Sequence, residues 1–515
     1  MPKTFLIGLD FGSESARGAL IDVASGREGA YHAHPYRHGI MTSALPGGRP
    51  LPLGFALQDA ADYLEAAEVI LSAIGAGRNV AAIGVDFTAS SPLPALGDGR
   101  AMSELMPDEP HAHVKLWKHA AAQPYAEAIN RRGGAFLSNF GGRVSGEWLL
   151  AKAAEIAAAA PEVWRRADKF IEAGDWLVWR LTGREARSLD FAAYKAQFSA
   201  SGGYPDGIAE GLAEKLSLPQ PVGSAAGQLS EEWRRRTGIR GEAVVAVAAI
   251  DSHAVLPAVG ACRPGVLAGA LGTSAAYLLL DDEDRSLPAG VEGRAKGAAL
   301  PGLWCYEAGQ AAFGDVLAWF VRTFPRASDL SANFAAYNRE AAALAPGENR
   351  LVAVDWWNGN RVPYADKALR GLIAGFDLST SATDIYRALM DSICFGARLI
   401  VDQFRDAQAP VERVVLTSGL AKSNPFLLTI MADVLGETVH APVIDNPTCV
   451  GAAIHGAVAA GLVPGFAAGA ERFGARRFEA CEPDPAREAA YARIYREYRS
   501  LSASAEVRQG VRARF

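Results

Sequence analysis

The first residues with chemical potential lie in Phe5–Val23, FLIGLDFGSESARGALIDV. An apolar run, Phe5–Leu9, ends at Asp10. A small polar turn follows with Gly12, Ser13, Glu14 and Ser15, then Arg17 and a second apolar run, Ala19–Val23. Two apolar runs around a glycine-bearing turn predict a β-hairpin. Backbone N–H groups in a Gly/Ser turn can point at an anion such as phosphate. An acid at the strand end, Asp10, would then hold Mg²⁺ beside that phosphate, directly or through water. An ordinary surface hairpin is the competing reading. A second copy weighs against it: Val266–Leu280, VLAGALGTSAAYLLL, repeats the plan around Gly272, Thr273 and Ser274. Two such hairpins, one opening each half of the chain, predict two similar domains facing one nucleotide across a cleft.

The remaining candidates sit where strands end, which is where α/β folds place ligands. Ala81–Asp86 is a buried strand ending in an acid and followed by Phe87, Thr88, Ala89, Ser90 and Ser91. Val244–Ile250 is a β-branched, apolar central strand that ends at Asp251. That acid is placed either to accept a proton or to cap the helix that follows. Val114–Ala121 carries Trp117 between two lysines and also fits an amphipathic helix with one buried aromatic. Ser188–Phe198 is irregular and sets Lys195 beside Tyr194, in a context where a lone lysine is ordinarily a surface residue. Val414–Leu435 reads as a strand, a turn at Ser418 and Gly419, and a helix opening at Asn424-Pro425 and closing at Gly436. A glycine turn onto a helix N-terminus suits nucleotide binding.

Other elements must hold these positions. Asp59–Ile74 has helical periodicity, with Ala60, Tyr63, Leu64, Ala67 and Ile70 on one face. Trp148–Ala160, Val163–Leu181 and Thr383–Phe404 read as helices, and Tyr31–Pro52 as a loop rich in His, Pro and Gly. Tyr306–Gln310 leads into a helix through Phe320, and Asp355–Arg361, DWWNGNR, is a loop. Pro447–Leu462 is a small-residue helix suited to close packing against the Val414–Leu435 unit. A charged helix follows Pro483.

The 515 residues are enough for two full domains, and 50% hydrophobic with 21% charged residues is ordinary globular composition. A formal charge of −6 excludes no class but points to neither nucleic acid nor an anionic membrane surface. Five cysteines, Cys262, Cys305, Cys394, Cys449 and Cys481, show no C-x-x-C pair and predict free thiols in a reducing cytoplasm. The N-terminus runs into a strand without a signal-peptide pattern, and no apolar run approaches membrane-spanning length. The chain contains neither a Gly-Lys dipeptide nor His-Arg-Asp, so Walker A and protein-kinase architectures are excluded.

The paired hairpins, the strand ending in Asp251 and the Gly419 turn together resemble the FGGY carbohydrate kinases. Pro110–Gln123, Cys305–Val321, Asp355–Arg361 and Ser418–Leu427 are similar to the ribulokinase branch of that family. The resemblance covers nearly the whole chain. It implies an α/β fold of two actin-like (ribonuclease H-like) domains with an interdomain cleft, a sugar-binding domain over 1–258 and an ATP-binding domain over 259–515. It implies Asp251 as general base, where the family has Asp-Ala-His and this chain has Asp-Ser-His. Ala89, Trp117, Lys195 and Glu307, with Asp251, fall at sugar-contact positions. Gly12, Ser13, Ser15, Arg17, Gly272, Thr273, Gly419 and Asn424 fall at ATP positions, and Asp10 at the Mg²⁺ position. Implied ligands are a ketopentose, with L-ribulose first and a role in L-arabinose catabolism, and MgATP.

The chain also departs from the family. Ser13 stands for Thr, Leu189-Asp190-Phe191 precedes Ala192-Ala193-Tyr194-Lys195 in place of Cys-Thr-Ala-Gly-Tyr-Lys, Ser418 replaces a Gly, and Val362 a Ser. These bear on the identity of the sugar more than on the reaction. A kinase for xylulose, ribitol or erythrulose stays open, as does a non-catalytic actin-like binding protein. The sequence allows a homodimer without requiring one, and implies no nucleic-acid or membrane partner.

Overall fold

The first hairpin seeds a sheet. In the computed structural model, which describes residues 3–286, 291–417 and 424–512, Thr4–Phe11 pairs antiparallel with Ser15–Asp22 and sets Asp10 opposite Arg17. Ser15–Asp22 pairs in turn with Glu28–Pro35, so the predicted loop Tyr31–Pro52 begins as an edge strand. Half-buried and exposed residues alternate along it, as suits a strand with one wet face. On its other side Thr4–Phe11 runs parallel to Asn79–Phe87, with Asp10 beside Asp86. Val244–Ala246 and Ala249–Ile250 both run parallel to Asn79–Phe87, with Ala249 beside Asp86. The predicted strand Val244–Ile250 is thus interrupted at Val247-Ala248. Ala225–Gln228 closes the sheet on that side. This register brings Asp10, Asp86 and Asp251 to the same strand ends.

This sheet belongs to a unit built from Met1–Cys262, Ala295–Cys305 and Ile444–Ala475. Its central layer is completed by a segment from far along the chain. The helix Pro447–Ala459 lies on Thr4–Phe11 and Asn79–Phe87, not on the Val414–Leu435 segment as its small residues suggest. Contact is between backbones: a Cβ on Gly8 would stand 1.7 Å from the Cys449 carbonyl oxygen, and one on Gly84 1.7 Å from that of Ala452. Only glycine fits at those two strand positions. The opposite helix, Ala60–Gly75, is capped by Asp59, which accepts from Ala61 N–H. It buries Tyr63, Ala67 and Ile70, whereas Leu64 is half-buried.

A second unit comprises Arg263–Arg294, Tyr306–Val443 and Arg476–Phe515. Its hairpin pairs Val266–Leu271 antiparallel with Ala275–Asp281, and Val266–Leu271 runs parallel to Arg413–Thr417. Val439–Pro442 follows in parallel, then Phe478–Cys481 antiparallel. Trp304–Gln310 lies beyond the hairpin's other strand. The strand plan of the first sheet is therefore repeated, as the paired hairpins predict. The helix Ala382–Asp406 carries a capping box between Ser381 and Asp384. Pro425–Leu435 opens on Asn424 and ends at a left-handed Gly436, matching its sequence signals. The charged terminal helix spans Pro485–Ala503.

Three local expectations change. Val163–Leu181 divides into a helix Pro161–Arg166, a strand Lys169–Glu172 and a helix Ala173–Thr182. Its buried Phe170 and Ile171 pair with Pro92–Ala95, a case in which a short apolar run fits either period. Val114–Ala121 is a two-residue strand, Val114–Lys115, and a turn. Ser188–Phe198 contains a helix, Leu189–Ala196, capped by Ser188 Oγ and stopped at Gln197 with φ +52°. All five cysteines are free thiols. Among the described residues no helix is long and apolar enough to cross a membrane.

Candidate active site

The strand ends of the first unit carry a concentration of buried charge. Asp10 is buried, lies 3.0 Å from Arg17 Nε, and accepts from Thr448 Oγ1 at 2.5 Å. Asp86 is fully buried, and neither of its carboxyl oxygens has a hydrogen-bond partner. Burial pushes its carboxyl well above the usual range, and the neighbouring Asp10 and Asp251 add to that. Asp251 is partly exposed and is the first residue of the helix Asp251–Ala258. Desolvation and Asp10 raise its carboxyl to about 6, while the Ser252 N–H, His253 and Lys195 pull it down. Ile250 occupies the cap position of that helix, and Asp251 Oδ1 takes the adjacent Ser252 N–H at 2.6 Å. A buried acid, Asp190, brackets Asp251: its Oδ2 accepts from Ile250 N–H at 2.9 Å and its Oδ1 pairs with His253 Nδ1 at 2.6 Å.

Around these acids stand the other first-unit candidates. Gly12 and Ser15 close the hairpin turn through a Gly12 N–H to Ser15 O bond of 3.1 Å. Ser13 O accepts from Gln58 Nε2 at 2.8 Å, and Ser13 Oγ accepts from Trp117 Nε1 at 2.9 Å. Ala89 follows Thr88, whose N–H donates to Phe11 O at 3.0 Å. Lys195 is buried rather than on the surface, with Nζ 5.8 Å from the centre of the Tyr194 ring. Asp10, Gly12, Ser13, Ser15, Arg17, Ala89, Trp117, Lys195 and Asp251 thus belong to one unit, within which Asp10 meets Arg17, Gly12 meets Ser15 and Ser13 meets Trp117.

In the second unit, Gly272 N–H donates to Ser274 O at 2.9 Å, and the Gly272 and Thr273 carbonyls accept from Gly314 and Phe313 N–H at 2.9 Å each. The hairpin turn is thereby fastened to the start of the helix Gly314–Thr323. Glu307 is a buried residue of the strand Trp304–Gln310. Three residues on, Gln310 joins a buried network with Tyr277, Asp355 and Tyr498. Asn424 is buried, caps its helix through Leu427 N–H, and bonds Asn338. Gly419 lies outside the described residues.

Two neighbouring carboxyls, Asp10 and the fully buried Asp86, are hard oxygen donors whose mutual repulsion a divalent cation such as Mg²⁺ would offset. Among the described residues no three ligating side chains are close enough to hold a metal by themselves. Mg²⁺ keeps several waters and completes its shell with phosphate oxygens, so it does not require three protein ligands. Sequence reasoning does not single out Asp86, Thr448 or Asp190 as site residues. Asp86 carries a signal, an acid ending an apolar strand. Thr448 carries none, because it meets Asp10 from 438 positions away.

Residues 267–460 match the C-terminal domain of the FGGY family of carbohydrate kinases. Over 97% of its length the chain is 38% identical to the ribulokinase of Halalkalibacterium halodurans, of which 95% is covered. The chain belongs to the FGGY family of carbohydrate kinases. The ribulokinase of Mycolicibacterium smegmatis is also 38% identical, over 97% of this chain and 93% of that one. The fold matches the solved xylulose kinase of Rhodospirillum rubrum with a TM-score of 0.82, at 22% identity, covering 97% of this chain and 98% of that one. As an FGGY kinase resembling the ribulokinases, the protein is an enzyme with two actin-like domains that uses ATP to phosphorylate a sugar.

Proposed function

We infer that this kinase converts L-ribulose to L-ribulose 5-phosphate, with Asp251 as general base. The observation that carries the reading is Asp251 itself: a carboxylate at a strand end, raised to about 6, next to buried Lys195 and the Asp10 cluster. The choice of L-ribulose is supported by ribulokinase relatives that align along almost the whole chain. A sugar hydroxyl is a weak nucleophile, and a carboxylate with a pKa just below neutrality is ionised yet still basic enough to take its proton. Lys195 offers a charged donor, Trp117 an apolar wall, Ala89 room beside it, and Glu307 an acceptor for a polyhydroxylated ligand.

Phosphoryl transfer depends mainly on positioning and on stabilising charge. The Gly12–Ser15 turn supplies backbone donors and Arg17 a cation. Gly272, Thr273, Gly419 and Asn424 are the second-half residues assigned to the nucleotide. Mg²⁺, when bound, neutralises phosphate charge, and Asp10 with Asp86 would hold its water shell. Thr448 fixes the Asp10 carboxylate by hydrogen bond, and Asp190 holds Ile250 and His253 on either side of Asp251. The reading assigns the enzyme to the cytoplasm, where L-arabinose catabolism would use it.

A coupled ADP-release assay across L-ribulose, D-ribulose, D- and L-xylulose, ribitol and erythrulose tests the assignment. L-Ribulose should give the highest kcat/KM, by roughly tenfold or more. A higher value for xylulose or a polyol would reassign the sugar.

A further inference from the structure

Lys152 lies on the helix Leu149–Ala159 with none of its surface exposed. An ammonium group buried this deeply is costly unless all its N–H groups are bonded and its charge is balanced. The hydrogen-bonding condition is met in full. Lys152 Nζ donates to Ser90 O at 2.5 Å, Leu116 O at 3.0 Å and Lys115 O at 3.1 Å. Three acceptors match the three hydrogens of a charged lysine. The nearby opposite charge is Glu172, also buried, which makes no direct ion pair with Lys152 and whose Oε2 accepts from Ser91 N–H at 2.7 Å. Burial drives the lysine down and the glutamate up, and each charge opposes the other's shift.

The bonded carbonyls come from two separate segments. One is the turn after Asn79–Phe87, which contains Ala89; the other is Lys115-Leu116, which leads directly into Trp117. The turn is also strained. Ser90 has φ +61°, a left-handed conformation that is unfavourable for a non-glycine residue and persists only where its surroundings impose it. Lys152 holds the carbonyl of Ser90, and Glu172 holds the next N–H. The strained peptide is therefore gripped on both sides.

The geometry points to Lys152, with Glu172, as a clamp that sets the spacing of Ala89 from Trp117 and so positions the sugar without touching it. This rests on the reading of Ala89 and Trp117 as sugar contacts. A five-carbon ketose is held by a few directional contacts, so a shift of the wall by a fraction of an ångström relative to the turn should weaken ground-state and transition-state binding alike.

The test uses the double variant Lys152→Met/Glu172→Gln in the full-length enzyme. Methionine fills the lysine's volume, and glutamine in place of Glu172 keeps an acceptor for Ser91 N–H without stranding a charge. The clamp predicts an L-ribulose KM raised roughly tenfold or more, an ATP KM within about twofold of wild type, and a melting curve showing a folded protein. Lys152→Gln/Glu172→Gln, which keeps two donors in place, should give an intermediate KM and serves if the first variant fails to fold. Trp117→Ala is measured in parallel. If Trp117→Ala raises the sugar KM and a folded clamp variant leaves it at the wild-type value, the clamp is wrong. If Trp117→Ala itself leaves sugar KM unchanged, the sugar-contact reading fails and the clamp with it. A fall in kcat and stability with unchanged sugar KM would assign Lys152 a purely structural role and also overturn the inference.

Discussion

Trp117 donates its indole N–H to Ser13 Oγ at 2.9 Å. The bond joins the segment assigned to the sugar with the turn assigned to phosphate, across 104 positions of sequence. Trp117→Phe would keep the apolar wall and remove the donor. A neutral hydrogen bond contributes about 0.5–1.5 kcal/mol, so the sugar KM should rise roughly two- to tenfold. Ser13→Ala should cost a similar factor. Because both variants remove the same bond, the double variant should cost little more than either alone, and a double-mutant cycle measures this. Strict additivity would show that the two residues act independently.

Activity should follow the titration of Asp251. Its raised carboxyl, at about 6, must be ionised to accept a proton. The kcat/KM for sugar should therefore be flat above neutrality and fall about tenfold per pH unit below about 6. Lys195 holds this carboxyl down, so Lys195→Met should move the acid limb to higher pH as well as weaken sugar binding. A limb that stays in place, or moves to lower pH, would contradict that placement of Lys195.

Asp86 gives a prediction of opposite sign for stability and activity. Its folded-state carboxyl is raised by burial and by two neighbouring acids. A raised acid favours the fold while protonated, and that contribution is lost as pH rises through the folded value. Asp86→Asn stays neutral throughout. It should therefore melt a few degrees above wild type at about pH 8 and lose this advantage below about pH 4, while kcat falls. Melting curves at the two pH values, beside steady-state rates, check both halves. A variant destabilised at the higher pH would show that ionised Asp86 is compensated by partners in the fold.

Thr448→Val removes the hydroxyl that bonds Asp10 and keeps the side-chain shape. If Asp10 holds the water shell of Mg²⁺, the Mg²⁺ concentration for half-maximal rate should rise roughly tenfold, since bonds to charged groups contribute about 1.5–3 kcal/mol. Sugar KM should change little. An unaltered Mg²⁺ dependence would separate Thr448 from the metal.

Much of this architecture is legible in the sequence because local signals agree with the fold. Asn424 caps the helix that its position predicts, and both hairpins form where an apolar run meets a glycine turn. Sequence reasoning fails where the deciding contact is distant. Phe170 and Ile171 form a strand because Pro92–Ala95 is there to pair with them. The small residues of Pro447–Ala459 do signal close packing, but its partners, Gly8 and Gly84, lie in strands near the other end of the chain. Nothing local marks the helix Leu189–Ala196 as buried, so Lys195 reads as a surface lysine until the fold is seen. Lys152 and Glu172 are invisible for the same reason: what they do depends on carbonyl and N–H groups of other segments.

The most direct test of the proposed chemistry is kcat of Asp251→Asn with saturating L-ribulose and MgATP, measured beside a melting curve. Asn matches Asp in size and its side-chain oxygen can still accept the Ser252 N–H, but it cannot accept the proton. As general base, Asp251 predicts a loss of about 10²–10⁴ in kcat, or roughly 3–5 kcal/mol of barrier, with ATP binding retained and melting not lowered. Near-wild-type turnover by a folded Asp251→Asn enzyme would contradict the mechanism.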